Sequence, residues 1–291
     1  MPPLVIALVL ISAVMHAGWN LLVRRKRATD VFLRISLVIT VFGLLPALAL
    51  EFLSTPILPI IWTIVPAAAV CQAIYYLGLS RAYRSGEFTV VYPLARALPV
   101  LLVALTDLLR GHPPAPLGWL GLVLVFAGCI LIPLESLRGF SLARYWNRTS
   151  LWIIVAALGT VGYTTFDSIA GQAMQAGPDA AIRYGIFEFS LAFVAFSLIM
   201  KSLRQPIQHE EGLKGWRTPL IAGVFLFTSY ALILWSLQLT PHASYVVALR
   251  QLSIVIGVVV GAVAFRETAP GLRISAAAIT VAGVVVTSLA P

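Results

Sequence analysis

The stretch YVVALRQLSIVIGVVVGAVAF, Tyr245 to Phe265, decides how this chain folds. Its 21 residues carry one charge, Arg250, and a helix of that length crosses roughly 30 Å of hydrocarbon. A guanidinium inside such a helix costs about 2.5–3.5 kcal/mol on insertion scales, and it cannot escape by shedding its proton. The run reads as a membrane-spanning helix, and the arginine within it as a group that has a task.

The rest of the chain is of the same kind. Hydrophobic residues make up 60% of the 291 positions and charged ones 11%, with a mean hydropathy of +0.95. Soluble domains carry about 25% charged residues. Apolar runs recur from end to end, so the expectation is a polytopic all-α membrane protein. The first twenty residues place their positive charge, RRKR at 24–27, after the apolar core rather than before it. That order predicts a retained helix and not a cleaved leader. The net charge of +9 lies between the apolar runs and forms no stripe, so no nucleic-acid partner is expected. Cys71 and Cys129 fall inside apolar segments without ligand spacing and read as packing residues.

Ten spans are expected, near 3–23, 30–52, 60–81, 88–109, 116–135, 150–172, 179–200, 217–239, 243–265 and 271–289. The start of the third is blurred by STPILPIIW, and the connections at 136–149 and 201–216 are long and polar. The first of these connections falls at mid-chain, which prompts a search for a repeat. HAGWNLL (16–22) aligns with YTTFDSI (163–169), and DVFLR (30–34) with DAAIR (179–183). YPLARALPVLL (92–102) aligns with VVALRQLSIVI (246–256), setting Arg96 opposite Arg250. The expected organisation is one five-helix copy over 1–139, a connection over 140–149, and a second copy over 150–291. An odd number of helices per copy makes the second enter the membrane with opposite polarity. The basic residues agree: 16 of the 20 fall on one side when connections are sorted alternately. Their bias inverts between copies, as an inverted repeat requires, and it puts both termini outside the cytoplasm.

Ten helices in two such copies resemble the drug/metabolite transporter superfamily, specifically its EamA-type members. The residues that carry the resemblance are HAGWNLL (16–22), YYLGLSRAYRSGEFTVVYPLARALPVLL (75–102), its match in the second copy (230–268), and FRETAPGLRISAAAITVAGVVV (265–286). The resemblance covers essentially the whole chain. It implies a secondary transporter in a bacterial inner membrane, with helices 1–4 and 6–9 around the cavity and helices 5 and 10 outside it. The implied habit of cytoplasmic termini opposes the charge bias.

Inverted-repeat logic by itself places a solute site between the copies, near the midplane. Arg96 and Arg250 are repeat partners and would meet an anionic substrate group by forked hydrogen bonds. Alternatively, each pairs with a buried acid or snorkels to the polar edge. Pro93 and Pro99 favour a kink around Arg96. Asp167 and Glu188 are candidate proton-coupling or counter-ion groups, with His16 a third. Tyr76 and Tyr230 are repeat partners deep within their spans. With Trp19, Asn20, Tyr92 and Gln251 they complete the candidate substrate-binding set. Gly257 and Gly261 form a GxxxG, and Gly118, Gly121 and Gly128 line another span; both predict close helix contacts.

The function expected is export of a small metabolite, an amino acid or related carboxylate, by alternating access. A flippase for a lipid phosphate or lipid-linked substrate is the alternative, and an intramembrane enzyme is a more distant one. HExxH, GxSxG, P-loop and Cys/His clusters are all missing from the sequence, so no catalytic residue, metal or cofactor is expected. The expected partners are a small molecule, membrane lipid and a proton, in a monomer or homodimer.

Overall fold

The computed structural model describes the backbone of residues 1–23, 28–85, 88–132, 134, 148–205, 214–264 and 271–291. The side chains of 28, 29, 85, 88–93, 214 and 261–264 lie outside the described set. The described residues form helices joined by short connections, with no strand among them. In chain order the helices are α1 (Pro3–Val23), α2 (Ala28–Leu53), α3 (Leu58–Ile61), α4 (Ile64–Ser85), α5 (Phe88–Leu109) and α6 (Pro116–Leu131). There follow α7 (Arg148–Ala173), α8 (Pro178–Ser202), α9 (Lys214–Gln238), α10 (Ala243–Arg250), α11 (Leu252–Ala264) and α12 (Gly271–Leu289).

Among the described residues, seven stretches are long and apolar enough to cross a membrane, and α6 is a shorter apolar helix. Large apolar side chains face outward, among them Phe42, Leu45, Phe52, Trp62, Leu109 and Leu289. A soluble monomer does not carry such a surface; lipid accounts for it. The blurred third span resolves into α3, a turn, and α4. α5 runs unbroken through Pro99, so the kink expected there does not interrupt the helix.

The principal helix contacts are preserved when the two halves of the chain are exchanged. α4 packs on α7 and α1 on α9; α5 touches α7, and α1 touches α10; α2 faces α8, and α6 faces α12. Equivalent helices meet antiparallel. A Cβ on Gly121 would sit 2.6 Å from the Thr287 nitrogen, and one on Gly128 2.7 Å from that of Thr280, so one chain rises as the other falls. Only glycine allows α6 and α12 to approach backbone to backbone there. Gly78 and Gly159 form a similar seam, each within 2.6 Å (as a notional Cβ) of a backbone nitrogen across the α4–α7 contact. Among the described residues the expected contact at Gly257 is not formed, since none lies within 4 Å of its notional Cβ; Gly261 lies outside the described side chains.

Two apolar clusters fill the bundle. One joins residues of α2, α4, α7, α8 and α9; the other joins α1, α5, α6, α10 and α12.

Candidate functional site

The helix expected over 243–265 breaks at Gln251, one residue after its arginine. The Gln251 side-chain amide donates to the Val247 carbonyl at 3.0 Å, taking the acceptor that its own backbone N–H would use in a regular turn. The backbone N–H moves to the Ala248 carbonyl instead, at 3.0 Å. This tightening between α10 and α11 points the Gln251 side-chain oxygen at α5, where it accepts from Arg96 Nε at 3.2 Å.

A small cleft lies at this break, about 10 Å³, roughly the room of one water molecule. It is lined by Arg96 and Pro99 from α5, Thr160, Tyr163 and Thr164 from α7, and Val247, Arg250 and Gln251. Arg96 is eight residues into α5, and Arg250 seven into α10. At 1.5 Å per residue those positions are about 12 and 11 Å from the helix starts, well inside spans that cross a hydrocarbon layer of about 30 Å. Both guanidiniums are over 90% buried and face the cleft, so neither snorkels outward.

Arg250 Nη2 lies 3.0 Å from His16 Nδ1, and Trp19 Nε1 donates to the same atom at 3.0 Å. Arginine and indole only donate, so Nδ1 accepts from both and carries no proton. That leaves His16 Nε2, buried and without a partner among the described residues. Arg96 Nη2 and Arg250 Nε are also buried N–H groups without acceptors among the described residues. Among the described residues neither arginine has a carboxylate within salt-bridge distance, so the pairing with Asp167 or Glu188 weighed from the sequence is not formed.

Those two acids sit instead among tyrosines. Tyr184 Oη donates to Asp167 Oδ1 at 2.9 Å. Tyr230 Oη lies 2.5 Å from Asp167 Oδ2 and 3.1 Å from both Glu188 oxygens. Both carboxyls thus share the one Tyr230 hydroxyl. Both acids are buried, Glu188 completely. Asp167 lies one turn along α7 from the cleft residues Tyr163 and Thr164, and the rings of Tyr163 and Tyr230 are 6.1 Å apart. Tyr163 therefore connects the arginine cleft to the acid pair.

The structure brings Arg96, Arg250, Gln251, His16 and Trp19 together, and gathers Asp167, Glu188 and Tyr230 beside them. Asn20 is turned to its own helix, donating to the His16 carbonyl at 2.7 Å. Tyr76 stacks on Phe32 at 4.7 Å and accepts from Gln72 at 2.9 Å, outside the cleft lining. The Tyr92 side chain lies outside the described residues. Sequence reasoning missed Thr160 and Thr164. Their spacing, four apart and leading to Asp167 on one face of α7, was the available signal. Among the described residues no group of His, Cys, Asp and Glu is arranged to hold a metal.

A solved crystal structure is similar to the chain with a TM-score of 0.72 at 18% identity, over 98% of this chain and 96% of that one; at that identity the likeness is one of fold. No curated protein matches. The EamA-like transporter family matches twice, over residues 3–134 and 147–289, one match for each half of the exchange-symmetric bundle. With nearly its whole length accounted for in this way, the chain belongs to the EamA-like transporter family, whose members are membrane transporters.

Proposed function

We propose that the chain is a secondary transporter that exports a small metabolite bearing a carboxylate or related anionic group, an amino acid among the candidates. The observation that carries this reading is the arginine pair. Two equivalent positions place buried guanidiniums on one cleft, with no carboxylate beside either among the described residues and donors left over on both. Buried cations without counter-ions are costly, and a ligand anion offsets that cost while the forked donors orient it. Both arginines come from one chain, so a single copy completes the site.

Alternating access is supported by the antiparallel packing of equivalent helices. A repeat related by an axis along the membrane normal would bring α6 and α12 together parallel, whereas one inverted in the membrane brings them together antiparallel. On this reading α3 and α4 act as one span, as do α10 and α11, giving ten spans in two inverted copies, in an inner membrane. The break at Gln251 lies on the cleft and is the expected place for backbone to bend as the site changes sides.

A thermal-shift screen of the purified chain against amino acids, organic acids, phosphonates and lipophilic cations tests the reading, with Arg96→Ala and Arg250→Ala alongside. A ligand at a hundred times its Kd stabilises by about 2.7 kcal/mol. An anionic or zwitterionic hit that disappears in both variants supports the proposal. A cationic hit indifferent to both would sink it.

A further inference from the structure

Resting on the arginine-cleft reading, we propose that Asp167 and Glu188 hold one proton between them and that this proton and the anion bind cooperatively, so that the two travel together.

Proton counting at Tyr230 carries the first half. Its hydroxyl has one hydrogen, yet it contacts Asp167 Oδ2 and both oxygens of Glu188. With both carboxyls ionised, one of those contacts would set lone pair against lone pair, and two like charges would face each other across a single hydroxyl. One proton on Glu188 resolves both conflicts. Glu188 then donates to Tyr230, Tyr230 donates to Asp167 Oδ2, and Tyr184 donates to Asp167 Oδ1. Asp167 is the ionised member because it has two hydroxyl donors; Glu188, fully buried, is the neutral one.

Charge counting carries the second half. Arg96 and Arg250 contribute two positive charges and Asp167 one negative, so the protonated site is left one charge short of neutral and a monoanion closes it. Deprotonating Glu188 would neutralise the site before the anion arrives. The acid pair is one helical turn from the cleft, and at an effective dielectric constant near 20 one charge at 7–10 Å changes anion affinity on the order of tenfold or more. Among the described residues the ionisable groups around Glu188 are Asp167 from α7, Tyr184 on its own helix, Tyr230 from α9, and Tyr76 and Cys71 from α4; Tyr163 faces Tyr230, and Arg250 faces Asp167 from α10. Tyrosines and thiols keep their protons at and below neutral pH, which leaves the acid pair as the group that titrates here. His16 contacts Arg250 rather than the acids, so a variant at Glu188 separates its contribution. Outward flow of the anion down its own gradient would carry protons out with it.

The test uses the full purified chain in detergent, with pyruvate, L-alanine and aminoethylphosphonate as probes, and Glu188→Gln and Arg250→Ala beside the wild type. Infrared spectroscopy near neutral pH should show a protonated-carboxyl band that Glu188→Gln removes. The affinity of whichever probe binds should fall on the order of tenfold between about pH 5 and pH 8, and proton uptake should accompany binding. Glu188→Gln should hold the tight affinity across that range. Absence of the carboxyl band overturns the proposal whether or not any anion binds. A band without pH-linked binding, or affinity that rises with pH, overturns the cooperative half and leaves the arginine cleft standing. Binding that Arg250→Ala does not disturb, or no binding by any probe, removes the cleft reading and the cooperative half with it.

Discussion

Arg183 and Arg250 are both buried arginines in apolar helices, and their surroundings assign them opposite work. Arg183 Nη1 meets Glu51 at 2.8 Å, while its Nη2 meets Asp179 at 3.0 Å and the Thr55 carbonyl at 3.0 Å. Glu51 is held in turn by the backbone N–H groups of Ile57 and Leu58, each at 2.7 Å. This is a closed lock joining α2 to α8, one helix from each half of the chain. Arg250 and its partner Arg96 have a histidine nitrogen and a glutamine oxygen instead, and no carboxylate among the described residues. Burial does not separate the two cases, and neither does a leftover donor, since Arg183 Nε is also without a partner among the described residues. Neutralisation does. An arginine with two acids is a strut, and an arginine with none, facing a cleft, awaits a ligand.

The largest effect expected from that contrast is on stability at the lock. Arg183→Ala leaves Glu51 buried and unpaired, and should cost about 3–5 kcal/mol, read as lost expression and a lower melting temperature. Adding Glu51→Gln should recover part of that loss; an additive double variant would show that the pair is not coupled. Arg250→Ala should do the reverse. Anion binding should weaken at least about tenfold, the worth of a charged hydrogen bond of 1.5–3 kcal/mol, while the melting temperature holds or rises because a buried cation has gone. A collapse of stability in that variant would make Arg250 a strut as well, and end the contrast.

Gln251→Leu is expected to be intermediate. It removes the bond to the Val247 carbonyl and the acceptor of Arg96, so α10 and α11 should merge toward one helix. The expected stability change is about 1 kcal/mol or less, with transport reduced more than binding. The smallest effect belongs to His242, in the connection before α10, where its ring stacks on Tyr245 at 4.7 Å. Burial lowers its pKa, with Asp107 pulling the other way. A histidine held below its unfolded value takes up its proton more readily when unfolded, so its contribution to stability is present above about pH 6.5 and lost as pH falls through that value. His242→Gln should make the melting temperature slightly less sensitive to acid. Greater sensitivity in the variant would reverse that assignment.

Much of the fold was legible before any coordinates. The apolar runs predicted where helices lie, and aligning Arg96 with Arg250 anticipated that both would line one cleft. The partners were less accessible. Arg183 and Glu51 are 132 positions apart, and Tyr230 and Asp167 are 63 apart. No local pattern ties such pairs, and two acids near two arginines invited the wrong match. The break at Gln251 was hidden for another reason: it depends on a side chain competing for a backbone acceptor inside a run that reads as continuous helix.

What the sequence determined by itself is the solvent and the set of elements. A bilayer admits only chain that satisfies its own backbone hydrogen bonds over about 30 Å, so scarce charge and long apolar runs leave helices as the one outcome. It also determined that charged groups inside those runs would gather away from lipid, because hydrocarbon penalises them heavily. What the tertiary structure decided is which of them meet. The glycine seams set how closely α6 approaches α12 and α4 approaches α7. Tyr230 meets Asp167 while Arg96 and Arg250 have no acid among the described residues, and a few ångströms of helix offset choose between a salt bridge and a cleft-facing charge.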